Sequence, residues 1–109
     1  MASQHGGLLV VRVDVRPEDE AELNRWYDTE HVPERLAMPG FRSATRYGSA
    51  ERPGRYLAVY ELDHPTVATG PEYMAQPQSA WARDVMARWT SWERSVWHRL
   101  QTPVISAPT

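Results

Sequence analysis

Trp26-Tyr27-Asp28-Thr29-Glu30-His31-Val32-Pro33, followed shortly by Met38-Pro39-Gly40-Phe41, orders the reading of the whole chain. The first stretch sets two aromatics, two carboxylates and a histidine at the end of an amphipathic helix. Pro33 should bend or restart that helix, because proline lacks the N–H that a helix interior needs. Pro39-Gly40 has the residue types of a type II turn, and Phe41 opens a strand. Upstream, Pro17 sits where a first helical turn tolerates it, with Glu18, Asp19 and Glu20 at the positive end of the helix dipole. The helix should run to about Thr29–Val32, with Leu23, Trp26, Tyr27 and Glu30 in one arc and His31 on its flank.

Further out, Leu8 to Val15 alternates as a strand does. Leu9, Val11, Val13 and Val15 form an apolar face for helices, and Leu8, Val10, Arg12 and Asp14 form the other. Phe41–Tyr47 and Arg55–Leu62 should pair as an antiparallel hairpin across the polar loop 48–54. Residues 66–78 read as loop with one helical turn near Glu72–Met74. Ser79 is a good N-cap for a helix to about Trp92, with Trp81, Val85, Trp89 and Trp92 on a broad face. Val96–Gln101 alternates as a fourth strand, and 102–109 reads as a frayed tail. The order β-α-β-β-α-β predicts an α+β, ferredoxin-like fold: a four-stranded antiparallel sheet with both helices on one face. The expectation is one domain over 1–109 with its core at about 8–101. The uncovered sheet face mixes apolar and charged groups on either register of the third strand, which suits a partner sheet and hence a homodimer.

Composition narrows the function. A chain of 109 residues buries only about two-thirds of its unfolded surface, so self-association is a plausible source of stability. The net charge of −2, with scattered arginines as the only basic residues, gives no nucleic-acid footprint. There is no cysteine, which excludes disulfides, thiolate nucleophiles and zinc–thiolate sites. No apolar run approaches the roughly 20 residues of a membrane helix. Met1–Gly7 lacks the apolar centre of a signal peptide, so a cytoplasmic protein is expected. No glycine-rich phosphate loop, dinucleotide fingerprint or nucleophile elbow is present.

Asn24-Arg25-Trp26-Tyr27, Glu30-His31-Val32-Pro33, Leu36 with Pro39-Gly40-Phe41, and Arg46-Tyr47 together resemble the dimeric α+β barrel superfamily, and within it the EthD-like group of small bacterial proteins. The specific part covers roughly residues 8 to 62. The resemblance implies homodimers paired sheet to sheet, with a ligand cavity between each sheet and its helices. It also implies a choice of activities, among them cofactor-independent monooxygenases, polyketide cyclases and muconolactone isomerases, so it addresses fold far better than reaction.

His31 is the leading candidate for chemistry, as a group that titrates near neutrality and exchanges protons without a cofactor; the resemblance puts it at the cavity mouth. Its competing reading is a cap on the helix C-terminus. Tyr27, one turn earlier, shares its direction. Arg46 and Arg12 are strand residues that could hold an oxyanion or else form interface salt bridges. Tyr60 would orient a substrate, and Trp26 and Trp81 would wall its pocket. Glu30, Glu34 and His31 invite a metal site, but this helix offers no second histidine at i+4 and no clear third ligand to complete one, so no metal and no cofactor is expected. The sequence thus points to proton-transfer chemistry (cyclase, isomerase or lyase) on a hydrophobic, oxygenated, cyclic small molecule, with His31, Arg46 and Tyr27 as the catalytic set. The alternatives are a cofactor-independent monooxygenase of an electron-rich aromatic and a non-catalytic dimeric binding protein.

Overall fold

A computed structural model describes residues 6–100 and 105–108. Four strands, β1 (Gly7–Asp14), β2 (Phe41–Gly48), β3 (Arg55–Leu62) and β4 (Ser91–His98), form one sheet in the order β2-β3-β1-β4. All neighbours are antiparallel. Helices α1 (Glu20–Trp26) and α2 (Val32–Leu36) are joined by a wide turn at Tyr27–His31, and α3 (Pro71–Met74) and α4 (Ala80–Ala87) follow β3. This is the ferredoxin-like arrangement. Between the sheet and the helices lies a core of Leu9, Val13, Leu23, Trp26, Tyr27, Phe41, Tyr60, Leu62 and Val85.

The register settles which side chains face that core. Leu9 pairs with Tyr60, Val11 with Ala58 and Val13 with Tyr56, so the β3 tyrosines face the helices, and Leu57, Val59 and Glu61 face outward. In β2 a bulge at Arg42 breaks the alternation: Phe41 pairs with Leu62, but Ser43 pairs with Glu61. A bulge adds one residue and flips everything after it to the other face. Phe41 and Arg46 are five apart and would otherwise lie on opposite faces. With the bulge, Arg46 pairs with Ala58 on the helix side.

Two expectations need correction. The last helix ends at Ala87, not near Trp92, and β4 begins at Ser91, five residues before Val96. The backbone N–H and hydroxyl of Thr90 both donate to the Asp14 carbonyl, and eight residues then pair with β1. A full ladder outweighs five more residues of helix. Trp89 and Trp92 therefore belong to the strand approach rather than to a helix face, and Trp92 and Trp97 are mostly exposed. Gln101, the expected end of that strand, and residues 102–104 and 109 of the tail lie outside the described residues. The hairpin and the Ser79 cap are as read: the Ser79 hydroxyl accepts from the Ala82 N–H.

The Pro39-Gly40 turn is fixed by backbone conformation. Gly40 has φ +93°, and a Cβ there would stand 2.5 Å from Val67 Cγ2. Gly40→Ala should lower stability by about 1–3 kcal/mol, from left-handed strain and the overlap together. Urea denaturation checks it; a loss under about 0.5 kcal/mol would show that the turn relaxes freely.

Candidate active site

The wide turn places the histidine. The Val32 N–H donates to the Tyr27 carbonyl five residues back, where a regular helix would span four. Pro33 follows at once; it has no N–H to give, and its ring would press on the carbonyl four residues earlier. An extra residue in the turn relieves both. It also re-phases the helix. At about 100° per residue, five residues would carry His31 some 140° round from Trp26. The wide turn brings it back, and the two rings stack at 4.4 Å with 22° between planes. Tyr27 meets the imidazole edge-on at 5.2 Å, and Tyr60 approaches from β3 at 6.5 Å.

Glu30 ties this turn to the other helix. Its carboxylate accepts from the Trp26 indole N–H at 3.0 Å and from the Ser79 hydroxyl, the same hydroxyl that caps α4. Trp26, fully buried, is thereby held as the platform under His31.

Two guanidiniums act on His31 through their charge. Arg46 lies 4.1 Å from the centre of the Tyr27 ring and 5.4 Å from that of Tyr56. Among the described residues its one ionic contact is a long 3.9 Å approach to the exposed Asp28, and its Nε and Nη2 are buried with no partner. Arg35, on α2, is itself buried, with its Nε unpartnered. The Tyr60 hydroxyl is likewise buried without a partner.

These surroundings set the protonation states. Burial, reinforced by the positive charges of Arg35 and Arg46, holds the His31 imidazole down at about 3, so it is neutral at pH 7. Burial pushes Tyr27 up to about 12 against the pull of Arg46, and burial raises Tyr60 still further. Both phenols remain protonated hydrogen-bond donors. The site therefore offers a neutral imidazole and N–H and O–H donors with unmet capacity, walled by aromatic rings.

Of the residues singled out from sequence, His31, Tyr27, Arg46, Tyr60 and Trp26 come together here. Arg12 and Trp81 do not. Arg12 sits on the outer sheet face, 3.0 Å from Asp14, whose carboxyl Arg55 (first) and Arg12 hold down at about 2. A β1 residue two from Val10 has no route through the sheet to His31. Trp81 faces sideways, giving its indole N–H to Glu22 at 2.7 Å beneath the Arg25 guanidinium. Arg35 was missed, although its place four residues after His31 on a helix is the spacing that brings side chains together.

No protein-family model and no curated protein matches the sequence. Solved structures do match the fold. A proposed antibiotic biosynthesis monooxygenase from Deinococcus radiodurans superposes with a TM-score of 0.77 at 14% identity, over 93% of this chain and 99% of that one. SnoaB, a cofactor-independent oxygenase from Streptomyces nogalater, gives 0.69 at 17% identity over 90% and 96%. A dimeric ferredoxin-like protein from an uncultured marine organism gives 0.70 at 13% identity over 97% of both chains. The chain thus has the ferredoxin-like fold of these structures. The nearer likeness to the EthD-like group rests on the sequence motif alone.

Glu30→Ala would leave the Trp26 indole and the Ser79 hydroxyl without their shared acceptor. It should cost about 1–3 kcal/mol, the usual penalty for stranding such donors, read from chemical denaturation. No measurable change would mean that Trp26 is held by packing alone.

Proposed function

We propose that the protein is a small cytoplasmic enzyme that moves a proton on a hydrophobic, oxygenated, cyclic metabolite, with cyclisation, isomerisation or elimination as the outcome. The observation that carries this reading is the His31 ring stacked on Trp26 beside Tyr27 and Tyr60, with the Arg46 guanidinium over the Tyr27 ring carrying two buried N–H groups that have no partner. That is a base beside an acceptor for developing negative charge. His31 takes the proton from an acidic C–H or O–H of the substrate. The electron pair left behind moves onto the neighbouring oxygen, where Arg46 and the Tyr60 hydroxyl donate to it. The imidazolium then returns the proton at the new position or to the leaving group. Trp26 supports His31 from behind, and Tyr27 meets the imidazole edge-on. Burial first, and then the two arginines, oppose protonation of His31. As the oxyanion forms it offsets them, so base and anion are stabilised together.

A second reading shares the first step. SnoaB, of the same fold, is a cofactor-independent oxygenase. A deprotonated, electron-rich aromatic held by Arg46 would be the species that reacts with dioxygen. Oxygen uptake during turnover separates the two.

The enzyme would work as a homodimer paired sheet to sheet. The outer face carries Leu8, Val10, Leu57, Val59 and Trp97 beside the Arg12–Asp14–Arg55 cluster, and Trp97 is 57% exposed. One structure of the same fold is described as dimeric. A paired face should bury on the order of 2,000 Å² in total.

The test is solvent deuterium exchange into enolisable cyclic ketones and polyphenols, followed by NMR. His31→Ala should slow exchange about 10²- to 10⁴-fold with the fold retained, and His31→Gln should be no better, since an amide exchanges no proton near neutrality. Unchanged exchange in both, with a lowered melting temperature, would make His31 structural and favour a binding protein.

A further inference from the structure

Arg35 is a buried cation that the fold does not neutralise. It is 8% exposed, yet its Nε has no partner, and Nη1 reaches only the Met38 sulfur at 3.6 Å. All 14 Asp and Glu of the chain lie among the described residues, and Arg35 forms an ion pair with none of them. A guanidinium stays charged when buried, and a buried charge without a partner is costly. The same cost makes it a strong receptor for an anion, because the desolvation has already been borne by the fold.

We propose that Arg35 anchors a carboxylate carried by the substrate, so that the protein acts on cyclic oxygenated acids in preference to their neutral analogues. This rests on the reading of His31 and Arg46 above and extends it to the substrate class. Arg35 lies one helical turn beyond His31, and its charge and that of Arg46 are both felt at His31, Tyr27 and Tyr60. From His31 a run of rings leads toward Arg35: Tyr60 lies 6.5 Å from the imidazole, Phe41 5.7 Å from Tyr60, and Tyr73 stacks on Phe41. A substrate lying along that run would offer its reacting oxygen to Arg46 and its carboxylate to Arg35. The Tyr73 ring lies 5.0 Å from the Arg35 guanidinium and 5.1 Å from that of Arg94, and stacks on Phe41 at 6.1 Å. This gives the anchor an aromatic wall with a second cation beside it. Met38 also lines a cavity of about 340 Å³ bounded by Pro39, Val67, Gly70 and Glu72. Its thioether is a weak acceptor on a flexible stem, which a carboxylate would displace. A carboxylate there would also offset one of the two charges that add to the effect of burial on His31, so the substrate would raise the basicity of the group that acts on it.

Titration calorimetry with 1-naphthol and 1-hydroxy-2-naphthoate tests this in the wild type, Arg35→Met and Arg46→Met. The wild type should bind the acid about 10- to 100-fold more tightly, the value of one charge-assisted pair. Arg35→Met should lose that preference and keep its affinity for the naphthol, while Arg46→Met should weaken both. Equal affinities in the wild type, a preference that survives Arg35→Met, or no binding of either ligand would overturn the proposal. If Arg46→Met changes nothing while Arg35→Met still removes the preference, the carboxylate anchor stands and the catalytic reading falls. Should Arg35→Met fail to fold, Arg35→Gln gives the same comparison.

Discussion

The stack of His31 on Trp26 is the contact on which the site depends. It takes the imidazole off the helix flank, where solvent and the helix-terminal carbonyls would compete for it, and puts it against an indole with no exposed surface. Every later property follows from that placement: desolvation, neutrality, and proximity to Tyr60 and the arginines. The contact exists because the helix widens by one residue before Pro33. A second one-residue irregularity, the bulge at Arg42, turns Arg46 toward the same space. Two departures from regular period thus bring together a helix residue and a strand residue that regular geometry would keep apart.

The energetics of the interior are those of a receptor with unmet demand. Much of the hydrogen-bond capacity elsewhere is used, although Arg12 Nη1 and Trp89 Nε1 are also buried without a hydrogen-bond partner. Glu30 serves Trp26 and Ser79, Glu22 serves Trp81 and Arg25, and Asp14 serves Arg55 and Arg12. Around His31 the pattern reverses. Arg46 Nε and Nη2, Arg35 Nε and the Tyr60 hydroxyl are buried and unpaired. Stability alone would be served as well by apolar side chains of similar volume. Retaining cations and a phenol there is the expected cost of a site that stabilises charge only when a ligand supplies it.

Much of the fold was legible because it follows simple periods. The β1 alternation, the β3 boundaries, the Pro39-Gly40 turn and the Ser79 cap all read directly from residue type. The last helix and strand were misplaced because Trp89 and Trp92 satisfy helical spacing equally well, and only pairing with β1 decides between them. At the site, His31, Tyr27, Arg46, Tyr60 and Trp26 were recognised by chemistry, although the geometry that unites them breaks the periods used to place them. From Phe41, strict alternation would have sent Arg46 to the outer face. For Arg12 the reverse holds: it obeys its alternation, and that puts it outside with Asp14. Arg35 passed unnoticed because an arginine on a short polar-looking helix is ordinarily solvated, and burial depends on how α2 lies over β2.

The central claim is that the fold keeps a neutral, half-buried imidazole stacked on Trp26, in the field of arginines whose buried N–H groups lack partners. It is tested most directly by titrating His31 by NMR in the free protein, with the resonance assigned by its loss in His31→Gln. The account predicts that the ring stays neutral from pH 7 to below pH 4, with a midpoint near 3. Because the unfolded chain takes up this proton near pH 6.5, the corresponding stability should be intact above that value. It should decline as pH falls toward 3. A His31 midpoint at or above 6.5 would contradict the account, because the imidazole would then be solvated or paired with an acid and the site would not be the one described.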